Sequence, residues 1–297
     1  MANIGFIGLG RMGLSMTRNL VESGHDVWAF DVFPAAMDKA AGHGCHSCST
    51  ATEAATGREF VVTMLPNGPD VEDTLFGANG VAAAMDSATV FIDMSTIAPS
   101  MTDSLASRLS SLGIRMIDAP VGGTSEYAEK GELLILAGGT AEDVATAAPL
   151  FSAMGRETLH CGGNGTGTRT KIINNYMSTA LNALTAETLA FAETAGLDLM
   201  LTARIMAGTA AGKGFLSGAY DRKVFSGDIS PEFALGLASK DLNLALAYGA
   251  DLDVPLGVGA AAAQLYSVSR SHGLAGNDWS AILHTMRQMS RPAKDES

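Results

Sequence analysis

The stretch TRTKIINNYMS, Thr168 to Ser178, places residue types able to do chemistry at helical spacing. Lys171, Asn174, Asn175 and Ser178 stand at i, i+3, i+4 and i+7, which is one face of a helix. Asn182 and Thr185 continue that face, and the other faces are mainly Ile, Met, Leu and Ala. Asparagine is a poor helix former, so three of them between residues 174 and 182 need a reason. One reason is a cleft lined by a cationic acid and neutral hydrogen-bonding groups. The other is a solvated face or a polar network between helices. An ammonium can deliver a proton to a carbonyl oxygen as hydride reaches the carbon, and the neutral amine can act as base in reverse. Lys171 is therefore the candidate acid/base. Asn175, one turn on, can hold the lysine or the substrate without adding charge.

That chemistry needs a hydride carrier, and a second cluster offers a site for one. GFIGLGRMG contains Gly8-x-Gly10-x-x-Gly13 between an apolar run and a helical pattern. Gly8 permits a tight turn, Gly10 lets backbone approach a diphosphate, and Gly13 lets helix pack on strand. The diphosphate would meet the first-turn N–H groups of the helix opened by Arg11 and Met12. WAFDVF ends the next apolar run at Asp31. An acidic side chain there accepts from ribose hydroxyls and repels a 2′-phosphate, which predicts NAD in preference to NADP. TMLPN and DMSTI end two further apolar runs, so Leu65, Pro66, Ser95 and Thr96 are expected on the nicotinamide side.

The elements that must position these residues alternate over the first half of the chain. NIGFIGLG, DVWAFD, EFVVTMLP, TVFIDMST, IRMIDAPV and ELLILAGG read as strands, bounded by Gly, Pro, Asp and Ser. Helical spacing separates them, as in 11–23, 100–112 and 141–154. Alternation of this kind predicts an α/β domain with a mostly parallel, doubly wound sheet of the Rossmann type. After HCGGNGTG the pattern changes to one long helix over about 168–196. Further helices are expected over 199–206, 231–250, 255–271 and 279–289, with Ser230 capping the one that Pro231 opens. The prediction is a dinucleotide domain over 1–163 and an all-α domain over 164–297 for substrate and oligomerisation. Lys171 then lies at the start of the helix that joins them, and AKDES at the end reads as disordered.

Bulk properties narrow the partners. The 297 residues are 47% hydrophobic and 17% charged, with net charge −12. The pI is about 4.8. An acidic chain is a poor partner for nucleic acid or anionic membrane surfaces. A mean hydropathy of +0.19 fits an Ala-rich helical core or extensive subunit interfaces. MANIGFIGLG reads as a first strand and not as a cleavable leader, and no apolar run is long enough to span a bilayer. A cytoplasmic location is the expectation. HGCHSC, a C-x-x-C of Cys45 and Cys48 with His43 and His46 nearby, offers a zinc or redox pair at most, and a surface turn is the better reading. No metal is expected.

Four motifs in order, GFIGLGRMG, DAPVGGT (118–124), GxxGxGxxxKxxNN (162–175) and KDLNLAL from Lys240, resemble the β-hydroxyacid dehydrogenase family, which includes 3-hydroxyisobutyrate dehydrogenase. The resemblance implies Lys171 as acid/base, Lys240 reaching the cofactor, and dimers or tetramers packed through the helical domain. It implies as substrate a small acidic aldehyde and its hydroxy acid. PVGGTS, NNYMSTALNAL and DWSAIL are most similar to a branch with sulfolactaldehyde reductase and 4-hydroxybutyrate dehydrogenase activities. Family members commonly carry Ser-Gly-Gly after DAPV, and that branch an arginine at the position of Gly123. Here the residues are Gly122, Gly123 and Thr124. The glycine N–H groups, with Thr124, Ser125, Asn174 and Ser178, are the expected anion donors, and Lys213 a source of charge. An arginine would be accommodated at Gly123 only if φ there is negative. An imine reductase of similar fold generally lacks the lysine. A non-catalytic dinucleotide-binding protein would bind NADH without turnover.

Overall fold

A computed structural model gives the fold. It describes residues 1–194, 196–209, 220, 223–251 and 257–290. Two compact units result, Met1–Lys171 and Ile172–Ser297. The first turn of the long helix groups with the first unit through the contacts described below.

The first unit holds one nine-stranded sheet. Its strands are β1 Asn3–Ile7, β2 Asp26–Phe30, β3 His46–Ser47, β4 Phe60–Thr63, β5 Val90–Asp93, β6 Arg115–Asp118, β7 Val121–Gly122, β8 Leu133–Gly138 and β9 Gly155–Gly162. The order is β3-β2-β1-β4-β5-β6-β8-β7, with β9 beside β8. β1 to β6 run parallel. β8 is antiparallel to β6 and β7, and parallel to β9. Chain order reverses between β1 and β4, the switch point at which such sheets open a crevice beyond their strand ends. Val and Ile fill the central strands because those are buried on both faces; β4 and β5 are buried at every position.

Helices connect the strands: α1 Arg11–Glu22, α2 Pro34–Gly42, α3 Ala51–Ala55, α4 Gly68–Phe76, α5 Pro99–Ser111, α6 Ser125–Glu129 and α7 Ala141–Met154. Two cores flank the sheet, one around Phe6, Met16, Ile92 and Phe151, the other around Val61, Leu75, Phe91 and Leu105. The long helix, α8, spans Thr166–Thr194. It is followed by α9 Leu199–Ala207, α10 Leu235–Asp251, α11 Gly257–Ser271 and α12 Ile282–Ser290. The helical unit packs around Tyr220, Leu235, Leu242, Tyr266 and Ile282.

Three sequence expectations change. β3 and β7 are too short to leave a pattern, and β9 is an edge strand with no buried position, so none was expected. α10 begins at Leu235 and not at Pro231, because the Asp278 carboxylate takes the Glu232 and Phe233 N–H groups and Ala234 bridges to Asp278. The Cys45–Cys48 stretch turns between α2 and β3 with Gly44, His46 and Ser47 exposed, but its thiols are not surface groups. Both thiols are buried and free, and burial pushes the Cys48 thiol up to about 11. Among the described residues no cluster of His, Cys, Asp and Glu could hold a metal, and no helix is long and apolar enough to cross a membrane. Residues 291–297, including AKDES, lie outside the described residues.

Candidate active site

The glycine loop is built for close approach. Gly8 has φ +101°, and a side chain there would strike the Met64 carbonyl 2.3 Å away. A Cβ on Gly13 would lie 1.9 Å from the Gly8 carbonyl, so α1 seats on β1 only through glycine. Gly10 differs: a Cβ there would meet nothing within 4 Å. Asn67, Thr50 and Thr140 each cap their helix with a side chain, whereas α1 begins at Gly10 with no side-chain cap and no acid in its first turn. A helix start of this kind suits an anion, and the open space at Gly10 is where one would arrive. These residues fit a dinucleotide.

Asp31, just past β2, accepts the Leu9 N–H at 2.6 Å and the Phe33 N–H at 2.9 Å. The two bonds lock the carboxylate beside the glycine loop, and each oxygen keeps a lone pair for a ribose hydroxyl. On the next two strands a buried carboxylate organises the loops. Asp93 at the end of β5 accepts from the Thr63 hydroxyl at 2.9 Å and the Ser95 N–H at 3.1 Å. The Ser95 hydroxyl in turn accepts the Leu65 N–H at 2.9 Å. Ser95 is itself buried, so it fastens Leu65 and Pro66 to the loop after β5 and does not line a surface as the sequence implied. Burial drives the Asp93 pKa upward, against its hydrogen bonds to Ser95 and Thr63.

Asp118 repeats the arrangement one strand on. Its Oδ1 accepts the Gly165 N–H at 2.6 Å and its Oδ2 the Thr168 N–H at 2.7 Å. Burial raises its pKa to about 6, the backbone bonds from Thr168 and Gly165 opposing the rise. Arg169 adds a bidentate pair to Asp103 of α5, with N–O distances of 3.0 and 2.6 Å. The buried Thr102 hydroxyl donates to that of Thr168 at 3.2 Å. Lys171, half-buried, therefore stands on a helix whose first turn is fastened from β6 and α5.

Further along α8 the polar stripe divides. Asn174 is exposed and Ser178 half-buried. Asn175 is buried, and its Nδ2 donates to the Asp241 carboxylate at 2.6 Å. Asp241 also pairs with Lys240 at 3.1 Å. The KD pair of KDLNLAL thus links the second asparagine of NN to Lys240, a connection that sequence spacing could not show. Asn182 belongs elsewhere: fully buried, it donates to the Tyr266 hydroxyl and the Trp279 carbonyl, an interhelical network and not a continuation of the site. Asp241 is the functional candidate that the sequence reading missed.

At the expected anion site Gly122 ends β7 in extended backbone and Gly123 is exposed with φ +126°. A Cβ on Gly123 would also crowd Leu133 and Tyr127 at 3.1 Å. The condition for an arginine there is not met. Thr124 opens α6 without spending its hydroxyl on the cap. Lys213 lies outside the described residues.

The comparisons with known proteins follow this geometry. Residues 3–163 match the family described as the NAD-binding domain of 6-phosphogluconate dehydrogenase, and 165–286 that described as NAD-binding of NADP-dependent 3-hydroxyisobutyrate dehydrogenase. The chain is 47% identical to 3-sulfolactaldehyde reductase of Escherichia coli, over 97% of this chain and 96% of that protein. The chain belongs to the 3-hydroxyisobutyrate dehydrogenase family. It is also 35% identical to 2-(hydroxymethyl)glutarate dehydrogenase of Eubacterium barkeri, over 97% of this chain and 95% of that one. The solved structure of Mycobacterium tuberculosis 3-hydroxyisobutyrate dehydrogenase with L-serine superposes with TM-score 0.88 at 32% identity, covering 97% of this chain and 99% of that one. As a member of the family the chain is an NAD(P)-binding oxidoreductase of the hydroxyacid dehydrogenase class.

Proposed function

We propose that this member of the family interconverts a small acidic aldehyde and its hydroxy acid with NAD(H), and that Lys171 is the acid/base. The observation that carries the reading is Lys171 itself, the one ammonium on the fastened first turns of α8, in a chain 47% identical end to end to a named aldehyde reductase. Gly8, Gly10, Arg11, Met12 and Gly13 would hold the diphosphate, Asp31 the adenosine ribose, and Leu65, Pro66 and Thr96 the nicotinamide side. Lys240, held by Asp241, is the further cofactor ligand. When bound, the cofactor gives or takes a hydride at the substrate carbon. Lys171 holds the proton on Nζ and gives it to the carbonyl oxygen in reduction; in oxidation the neutral amine takes it back. Asn175, oriented by Asp241, holds the oxygen's neighbourhood without adding charge. Asp31 favours NAD, since a 2′-phosphate beside this carboxylate would add like charge.

For the substrate's anionic end the proposed donors are the Gly122 and Gly123 N–H groups and Thr124 of the first unit and Asn174 and Ser178 of the second, with Lys213, outside the described residues, as the proposed source of charge. Without an arginine this site distinguishes sulfonate from carboxylate weakly, so sulfolactaldehyde and carboxylic semialdehydes are both proposed. NADH oxidation by sulfolactaldehyde, succinic, tartronate and methylmalonate semialdehydes tests this. Turnover of none of them above the rate of a Lys171→Ala control would end the reading. Ile173 and Met177 on α8 are 60% and 63% exposed, which supports assembly with a second copy. Light scattering that returned a monomer mass would exclude that assembly.

A further inference from the structure

The Asp118 carboxylate stands outside the proposed chemistry, yet three glycines make room for it and its partners. A Cβ on Gly138 would lie 2.6 Å from Asp118 Oδ1 and 2.8 Å from the Gly167 nitrogen. One on Gly167 would lie 2.2 Å from the Leu136 carbonyl and 2.6 Å from that of Asp118. Gly165, with φ +84°, would drive a side chain into Arg169. β6, β8 and the start of α8 therefore meet at a point where only backbone and one carboxylate fit. The Gly165 carbonyl takes the first helical N–H, from Arg169, so Gly165 is the N-cap of α8 and Thr168 its third residue. A cap residue's own side chain ordinarily accepts the N–H at that third position. Glycine has none, and Asp118 supplies the missing acceptor from a different strand, with full negative charge at the positive end of a 29-residue helix.

We infer that Asp118 is a positioning residue for the reaction: by gripping the Gly165 and Thr168 N–H groups it sets the start of α8, and with it the height and rotation of Lys171 three residues beyond. The inference rests on the reading of Lys171 as acid/base. A neutral amide cannot do the same work. Asparagine presents one oxygen and one NH2, and the NH2 would oppose an N–H that needs an acceptor. Protonation has a related effect, because one carboxyl oxygen becomes a donor. Several charged or titratable groups lie on the elements packed against Asp118. Asp93 stands at the matching register position of β5 and is also pushed up by burial. Lys171 and Arg169 are on α8, with Arg169 paired to Asp103 of α5. β8 brings Gly138, which carries no charge, to the carboxylate.

The test compares wild type, Lys171→Ala and Asp118→Asn as full-length folded enzyme. Asp118→Asn is expected to lower kcat about tenfold or more through a displaced Lys171. The KM for NADH should stay within about twofold, since the glycine loop is untouched. Hydrogen exchange, read on the protein without cofactor, should quicken at the Gly165 and Thr168 amides in Asp118→Asn and stay slow in Lys171→Ala. Wild-type kcat should fall as pH drops through about 6, and that acid limb should be missing in Asp118→Asn. Loss of kcat in Lys171→Ala together with an unchanged kcat, or an unchanged acid limb, in Asp118→Asn overturns the inference and leaves the lysine reading intact. An unaffected Lys171→Ala overturns the lysine reading instead. Should Asp118→Asn not fold, the wild-type Gly165 and Thr168 amide resonances are followed between about pH 5 and 7. They should titrate together with kcat; amides that do not move, or a kcat flat across their transition, overturn the inference.

Discussion

Gly167→Ala is a perturbation whose size can be worked from the structure. The added methyl would sit 2.2 Å from the Leu136 carbonyl oxygen, where real contacts of this kind essentially never fall below 3.0 Å. The first turn of α8 must then move by at least about 0.8 Å, or β8 must yield by as much. β8 is held on both sides, by β6 and β7 and by β9, so the helix start is the softer party. Overpacking of this kind costs about 1–3 kcal/mol. Displacement of a catalytic group by about 1 Å can cost a factor of about 10² in turnover. Gly167 touches neither cofactor nor substrate in the reading above, so the loss should fall on kcat, with the KM for NADH nearly constant. Steady-state kinetics at a temperature well below the variant's Tm separates the two effects. A folded Gly167→Ala enzyme with kcat within about threefold of wild type would show that the placement of Lys171 does not depend on this seat.

Lys171→Ala should lower turnover by roughly 10²–10⁴ with NADH affinity little changed, and a loss under tenfold with chemistry rate-limiting would remove the lysine from its role. Asp31→Ala should weaken NADH binding and improve the relative use of NADPH; an unchanged preference, or a wild type that favours NADPH, would count against the ribose contact. Asp241→Ala leaves the buried Asn175 amide without its acceptor, for a loss of about 1–3 kcal/mol in urea unfolding, and Asp241→Asn, which keeps an oxygen there, should lose less. Equal losses in the two would mean that the carboxylate's charge toward Lys240 matters more than the Asn175 bond.

Much of the nucleotide unit was legible in the sequence because its rules are local. A tight turn needs Gly8, a helix seated on a strand needs Gly13, and strands buried on both faces need continuous apolar runs. The edges were not legible. β9 carries GRETLHCG, in which no residue is buried, so no periodicity announces it. The asparagine stripe was ambiguous for a physical reason: a residue facing a substrate and one facing a partner helix obey the same spacing. The hydrogen-bond partners are what spacing cannot give, Asp241 for Asn175 and Tyr266 with Trp279 for Asn182. Whether Gly123 could take an arginine depended on its φ, which cannot be read from a glycine's name.

The buried carboxylates at the ends of β5 and β6 carry the synthesis further. Asp118 has its pKa raised from 3.8 to about 6, so its charged form at neutral pH opposes folding by about 3 kcal/mol. The sign follows from linkage. Between about pH 4 and 6 the unfolded chain has released this proton while the folded chain still holds it, so this group makes the fold less stable as pH rises through that window. A residue kept only for stability would not be charged and buried at this point. Two backbone N–H groups explain how the charge is tolerated, and the helix they open explains what the charge does. Asp93 does for Ser95, and through it Leu65, what Asp118 does for Gly165 and Thr168. The loops proposed to face the nicotinamide and the helix that carries the lysine are each held by a neighbouring carboxylate of the same sheet. The motif DAPVGGT then has two separable parts: its aspartate holds the start of α8, and its glycines are the proposed donors to the substrate's anion. Substitutions in the first part should appear in kcat and its acid limb, and substitutions in the second in the KM for the aldehyde.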